Sequence, residues 1–151
     1  MSYSIDTSVF IEAWLRHYPL DVFPAVWKQL DNGIVHGKLK AVVEVLRELE
    51  QHDDDLFAWA KRRRSKFVPL DTAIQRRAKR ILAQFPTLAK ADSTRRDADP
   101  FVIALAAEYG LTVVTYESSR PTKPRIPDVC QALHIPCITP VELFRLEGWT
   151  F

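Results

Sequence analysis

Four carboxylates stand in chemically unusual company along this chain. Asp6 closes a short β-favouring run, Ser2-Tyr3-Ser4-Ile5, and is followed by two small hydroxyl residues, Thr7 and Ser8. Glu44 interrupts the apolar run Ala41-Val42-Val43-Glu44-Val45-Leu46, where a charge is costly unless it faces a polar site. Asp99, with Pro100, opens the apolar stretch Phe101–Ala107, and Glu117 lies just past Val113-Val114-Thr115. Crowded carboxylates repel, and one takes up a proton unless a cation holds them. An all-oxygen set suits a hard divalent cation, Mg²⁺ or Mn²⁺, which typically keeps several of its waters. A metal held in this way can polarise a phosphoryl oxygen and activate water against a phosphodiester.

Each residue also has a plainer reading. Asp6 and Asp99 are good helix N-caps, and Asp-Pro is a common helix opening. Glu44 could sit at the edge of an apolar stripe, with Glu48 one turn later as its alternative. Asp97 could replace or assist Asp99, and Glu117 could be a loop residue. Thr7 and Thr115 are candidates for supporting roles. The weight lies on the combination. His17, His36, His52 and His134 are scattered, which argues against zinc, and neither a Walker-type nor a dinucleotide-type glycine loop occurs. Cys130 and Cys137 lack the spacing of a zinc pair and read as buried free thiols.

The combination forms a site only if the surrounding elements converge. Residues 2–6 read as a strand and 8–17 as a helix ended by Pro19. An amphipathic segment follows over 20–30, with Asp31-Asn32-Gly33 as a turn. Leu39, Val42, Val43, Leu46 and Leu49 recur at helical spacing, predicting a helix over 38–51. Asp53-Asp54-Asp55 would cap a helix over 56–64. Residues 67–70 read as an extended link, Asp71 as the cap of a helix to Phe85, and 86–96 as an exposed connection. Asp99 caps a helix apolar on all sides, hence buried, that ends at Gly110. Strands at 111–115 and 137–139, with short helices at 126–130 and 140–147, complete the chain. Alternating strands and helices predict an α/β fold, a three-layer α/β/α sandwich around a mostly parallel sheet, with 1–151 as a single domain. In such a sheet the carboxyl ends of the strands border the ligand crevice. Asp6, Asp99 and Glu117 would meet there, with Glu44 reaching in from its helix.

At 151 residues, 47% hydrophobic and 26% charged, the composition is that of an ordinary globular domain. No apolar run is long enough to span a bilayer and no basic leader precedes Asp6, so the expectation is a cytoplasmic protein without a membrane partner. The net charge of +2 hides local density: Lys61-Arg62-Arg63-Arg64-Ser65-Lys66 is a cationic run, supported by Arg76-Arg77, Lys79-Arg80 and Arg95-Arg96. Arg62, Arg63, Arg64 and Lys66 are candidate contacts to nucleic-acid phosphates. Cations near a helix end also favour its dipole without binding anything. Trp14, Trp27, Trp59 and Trp149 sit in mixed apolar patterns typical of core or interface.

The blocks Ile5-Asp6-Thr7-Ser8-Val9-Phe10-Ile11, Val43-Glu44-Val45-Leu46-Arg47-Glu48-Leu49, Ala98-Asp99-Pro100-Phe101-Val102-Ile103-Ala104-Leu105-Ala106 and Leu111-Thr112-Val113-Val114-Thr115-Tyr116-Glu117 together resemble the PIN-domain family over essentially the whole chain. The stretches 18–24 and 123–130 look like a bacterial and archaeal subgroup of it. The resemblance implies an α/β/α sandwich and a Mg²⁺- or Mn²⁺-dependent endoribonuclease site. Asp6, Glu44 and Asp99 match the first three acidic positions. Glu117 matches the fourth, usually Asp or Asn, with a longer side chain. Many small members are toxins of VapBC-type (type II) toxin–antitoxin pairs, which implies RNA as substrate, a small antitoxin partner and a homodimer.

Other classes compete. A phosphoaspartate signalling domain would want an acidic pair after the first strand and a late lysine, which Thr139-Pro140 does not provide. A two-aspartate phosphatase would want Asp where Ser8 stands. A catalytically inactive fold that only engages RNA or a protein partner would keep the architecture without binding metal.

Overall fold

The computed structural model describes residues 1–52, 54–88, 97–120 and 122–151. The Asp53 part of the expected acidic cap, the connection over 89–96 and the Arg95-Arg96 pair lie outside the described residues. The chain forms β1 (Tyr3–Ile5), α1 (Thr7–Glu12), α2 (Pro24–Val35), β2 (Leu39–Lys40), α3 (Val43–Glu50), α4 (Asp54–Lys61), α5 (Thr72–Gln84), α6 (Asp99–Tyr109), β3 (Thr112–Val114), α7 (Ile126–Ala132), β4 (Cys137–Ile138) and α8 (Pro140–Glu147). All four strands are parallel, in the order β2-β1-β3-β4. Helices cover the sheet in a three-layer α/β/α sandwich, as the alternating pattern predicts.

The strand order sets the position of the site. From β1 the chain crosses to β2 on one side, then returns to β3 and β4 on the other. The direction reverses between β1 and β3, and ligands in open α/β sheets bind outside the carboxyl ends at such a switch point. Tyr3, Ser4 and Ile5 pair with Thr112, Val113 and Val114, so Asp6 and Thr115 leave adjacent strands side by side. Helix α6, apolar from Phe101 to Ala107, packs on both strands, with α5 against it. Ser4 Oγ donates to the Val102 carbonyl at 2.8 Å, which satisfies a fully buried hydroxyl and ties β1 to α6.

Two local expectations are corrected, and the helix expected over 8–17 is present with a local widening. Residues 38–51 are not one helix: Leu39–Lys40 form the edge strand β2, paired with Tyr3 and Ser4, and the helix begins only at Val43. A parallel partner in β1 overrides the helical spacing of Leu39. Asp31-Asn32-Gly33 is not a turn, because α2 runs through it to Val35. Gly33 is there for close packing: a Cβ would lie 2.5 Å from Leu39 Cγ. The helix that begins at Thr7 widens into a π-turn over Ala13–His17, with Tyr18 N donating to the Ala13 carbonyl at 2.8 Å.

The expected link at 67–70 is extended and touches β-structure, with Val68 bridging Val42 in parallel. Asp71 caps α5 by accepting from Ile74 N at 2.7 Å. The tryptophans pack as expected: Trp27 meets Trp14 and Trp59 edge-on at 4.9 and 5.0 Å, and Trp149 packs against Phe144. Cys130 is buried and Cys137 half-buried, both as free thiols. Among the described residues no helix is long and apolar enough to cross a membrane.

Gly33→Ala should cost about 1–3 kcal/mol in urea denaturation, the usual range for overpacking. In a Leu39→Ala background the same change should be neutral or stabilising, because the clash partner is gone and alanine is the better helix former.

Candidate metal and active site

Asp6 occupies the N-cap position of α1 with extended backbone, yet its side chain makes no capping bond. Its Oδ2 accepts instead from Ser8 Oγ at 2.6 Å and Thr115 Oγ1 at 2.8 Å. Both hydroxyls also accept backbone amides of the segment after β3: Tyr116 N donates to Ser8 Oγ at 3.1 Å and Glu117 N to Thr115 Oγ1 at 3.0 Å. One carboxylate oxygen thus locks the β1 exit to the β3 exit. Asp6 is 2% exposed, and burial pushes its carboxyl above the usual range while the Ser8 and Thr115 hydroxyls partly offset that.

Asp99 is in the first turn of α6 rather than at its cap, which is Ala98. Its amide donates to Asp97 Oδ1 at 3.1 Å. Glu48, on α3, accepts from Ala98 N at 2.7 Å through Oε1, so the start of α6 is pinned to α3 by a carboxylate. Oxygens of Glu48, Asp97 and Asp99 lie within 4.8 Å of one another, close enough to share one cation. Burial, and after it the charges of Asp6, Asp97, Glu117 and Glu48, hold Asp99 well above the ordinary carboxylate range. Glu117 is raised for the same two reasons, burial and Asp6, while Arg125 acts in the opposite sense. Glu117 Oε2 accepts from Ile126 N at 3.2 Å, which turns it toward the start of α7.

These groups line a crevice of two lobes that meet at Asp99 and Glu117. The first, about 270 Å³, is walled by Asp6, Thr7, Ser8, Glu48 and His52 among others. The second, about 160 Å³, opens past Asp97 toward Arg120, Lys123 and Arg125. Thr7 is buried, and its Oγ1 has no hydrogen-bond partner among the described residues. A buried hydroxyl in that state is ordinarily satisfied by solvent or a ligand.

The structure brings Asp6, Asp99 and Glu117 together as the sequence predicts, with Thr7, Asp97 and Thr115 around them. It does not bring Glu44 in. That side chain is wholly buried and ion-paired with Arg47, and it lines neither lobe. Glu48, one turn later on α3, takes the place expected for it. With α3 starting at Val43, Glu44 falls in the first turn beneath the crevice-facing residue. Two further expectations change. His52 is not remote but lines the first lobe, although the three converging ligands are all carboxylates. Arg63 is consumed structurally: its guanidinium pairs with Asp31 at 2.5 Å, donates to the Trp59 carbonyl and lies 4.0 Å over the Trp59 ring. Arg62, Arg64 and Lys66 are exposed and line neither lobe. Arg120, Lys123 and Arg125 lay in a proline-containing loop with no motif to single them out.

The chain belongs to a family described as a domain of unknown function, DUF4411, whose model matches residues 3–151. No curated protein matches it.

A carboxyl raised in the folded state holds its proton more tightly there than in the unfolded chain. Its stabilising contribution is full below the unfolded value and is lost as pH rises through the folded one. Thermal melts at about pH 8 should therefore show Asp99→Asn more stable than wild type, with the gain shrinking on acidification. Mn²⁺ should raise the melting temperature of wild type at that alkaline pH and leave Asp99→Asn unmoved.

Proposed function

We propose that this protein is a divalent-metal-dependent endoribonuclease of the PIN type. The observation that carries the reading is the convergence of Glu48, Asp97 and Asp99 within a single ion's reach, at the switch point where Asp6 and Thr115 also emerge. The donor set fits the metal: three hard oxygens, further negative charge from Asp6 and Glu117, and an unsatisfied Thr7 hydroxyl on the same wall. That chemistry favours Mg²⁺ or Mn²⁺ over zinc. When bound, such an ion supplies Lewis-acid polarisation of a phosphoryl oxygen and activation of water.

The remaining work falls to the chain. Glu48, Asp97 and Asp99 would hold the ion. Asp6, fixed by Ser8 and Thr115, sits in the same negative field and is aimed to orient a water or a further ligand. Thr115 is a positioning residue, since it acts through Asp6 and the Glu117 amide. The PIN resemblance extends the proposal to a type II toxin with a small antitoxin and a homodimeric state. The exposed apolar residues Leu15, Leu20, Val22 and Phe23, around the link from α1 to α2, offer surface for such contacts.

Purified protein should cleave single-stranded RNA in Mg²⁺ or Mn²⁺, with EDTA abolishing cleavage. Asp99→Asn and Glu48→Gln should remove activity while keeping a folded circular dichroism spectrum. Thr115→Ala should lower activity by roughly 10–100-fold, the usual cost of losing a residue that orients a ligand. Full activity in EDTA would overturn the metal mechanism. Metal binding without cleavage would favour the inactive binding module instead.

A further inference from the structure

The second lobe of the crevice is lined by charges of both signs. Asp97, Asp99 and Glu117 share it with a cationic wall of Arg120, Lys123 and Arg125, from the loop between β3 and α7. Building on the nuclease reading, we propose that this cationic wall is a phosphate subsite. It would take a backbone phosphate of single-stranded RNA next to the one at the carboxylates.

Three observations support it. The three cations make no ion pair among the described residues, whereas Arg47, Arg63 and Arg77 are each spent on a carboxylate. The loop that carries them is fastened at both ends by one side chain: Asp128 accepts from Ser119 Oγ at 2.5 Å, Arg120 N at 2.8 Å and Arg125 N at 2.9 Å. A second tie, Glu117 to Ile126 N, closes the same loop from the acidic side. These bonds fix the backbone that carries Arg120 and Arg125, so less backbone freedom is lost on binding. The lobe, about 160 Å³, is also small. Sites for organic ligands run to roughly 300–1,000 Å³, so a single phosphate with its waters is the better occupant.

The geometry also explains why cations should border so acidic a site. A polyanion approaching Asp6, Asp99 and Glu117 meets repulsion unless positive charge holds the neighbouring phosphate. Contacts to phosphate fix register without reading sequence. The Lys61–Lys66 run lines neither lobe and offers no such adjacency.

The test measures binding of a labelled single-stranded RNA by fluorescence anisotropy across a salt series, with Asp99→Asn as background to prevent cleavage. Arg120→Gln, Lys123→Gln and Arg125→Gln are combined in one variant. Arg62→Gln, Arg64→Gln and Lys66→Gln are combined in another that removes the same charge elsewhere. The loop variant should bind roughly tenfold or more weakly at low salt, with the slope of log affinity against log salt shallower by about 0.7, the change for one lost phosphate contact on a single strand. The second variant should change slope by less than half as much. Equal effects, or an unchanged slope in the loop variant, would overturn the subsite. Arg120→Lys with Arg125→Lys should restore the slope, which a merely misfolded loop would not allow. Loop-dependent RNA binding in a wild-type chain that never cleaves would sink the nuclease reading and leave the subsite standing. Cleavage with loop-independent binding would do the reverse.

Discussion

The mutual repulsion of buried carboxylates is the constraint on which the rest of this structure turns. Asp6 is nearly withdrawn from solvent, Asp99 is half-buried, and Asp97, Glu48 and Glu117 add negative charge around Asp99. A fold tolerates such an arrangement only by protonation, by donors aimed at the oxygens, or by a cation. Donors are present for some: hydroxyls for Asp6, the Ala98 amide for Glu48, the Ile126 amide for Glu117. Each of these bonds also joins two elements. The polar network that restrains the charges is the same one that aligns the exits of β1 and β3 and the starts of α6 and α7.

That coupling explains how the surrounding architecture serves the site. The parallel sheet brings Asp6 and Thr115 side by side because their strands are in register. The apolar α6, buried on the sheet, carries Asp99 to the sheet's carboxyl edge at its first turn. Gly33 lets α2 close on β2, and the tryptophan cluster packs α2 against α4. Stability is therefore concentrated in the apolar layers, while the crevice carries electrostatic strain that a bound cation would relieve.

Much of this was legible in the residues. Alternating strands and helices define the α/β sandwich, because a buried parallel strand such as Thr112–Val114 has few other homes. Asp6, Asp99 and Glu117 were readable because each sits at the end of a strand or the opening of a buried helix, where chain order alone fixes the edge of the sheet. Glu48 was harder. The apolar spacing through Leu39 suggested one continuous helix, and only the pairing of Leu39 with Tyr3 shows that α3 begins at Val43. Glu44 and Glu48 share one face of α3 a turn apart, so choosing between them requires knowing which turn meets the crevice. The loop cations were illegible for another reason: nothing local distinguishes Arg120 or Arg125 from solvated charge until Asp128 folds their segment beside the carboxylates. Within the cationic run at 61–66 only Arg63 departs from the solvated or phosphate-binding readings, since charge density in sequence takes no account of Asp31 and Trp59 waiting for it.

The measurement that bears most directly on this account is Mn²⁺ binding followed by electron paramagnetic resonance in wild type, Glu48→Gln and Glu44→Gln. The account predicts a saturable site in wild type, its loss in Glu48→Gln and its retention in Glu44→Gln. Absence of binding in wild type, or loss in Glu44→Gln with retention in Glu48→Gln, would contradict it.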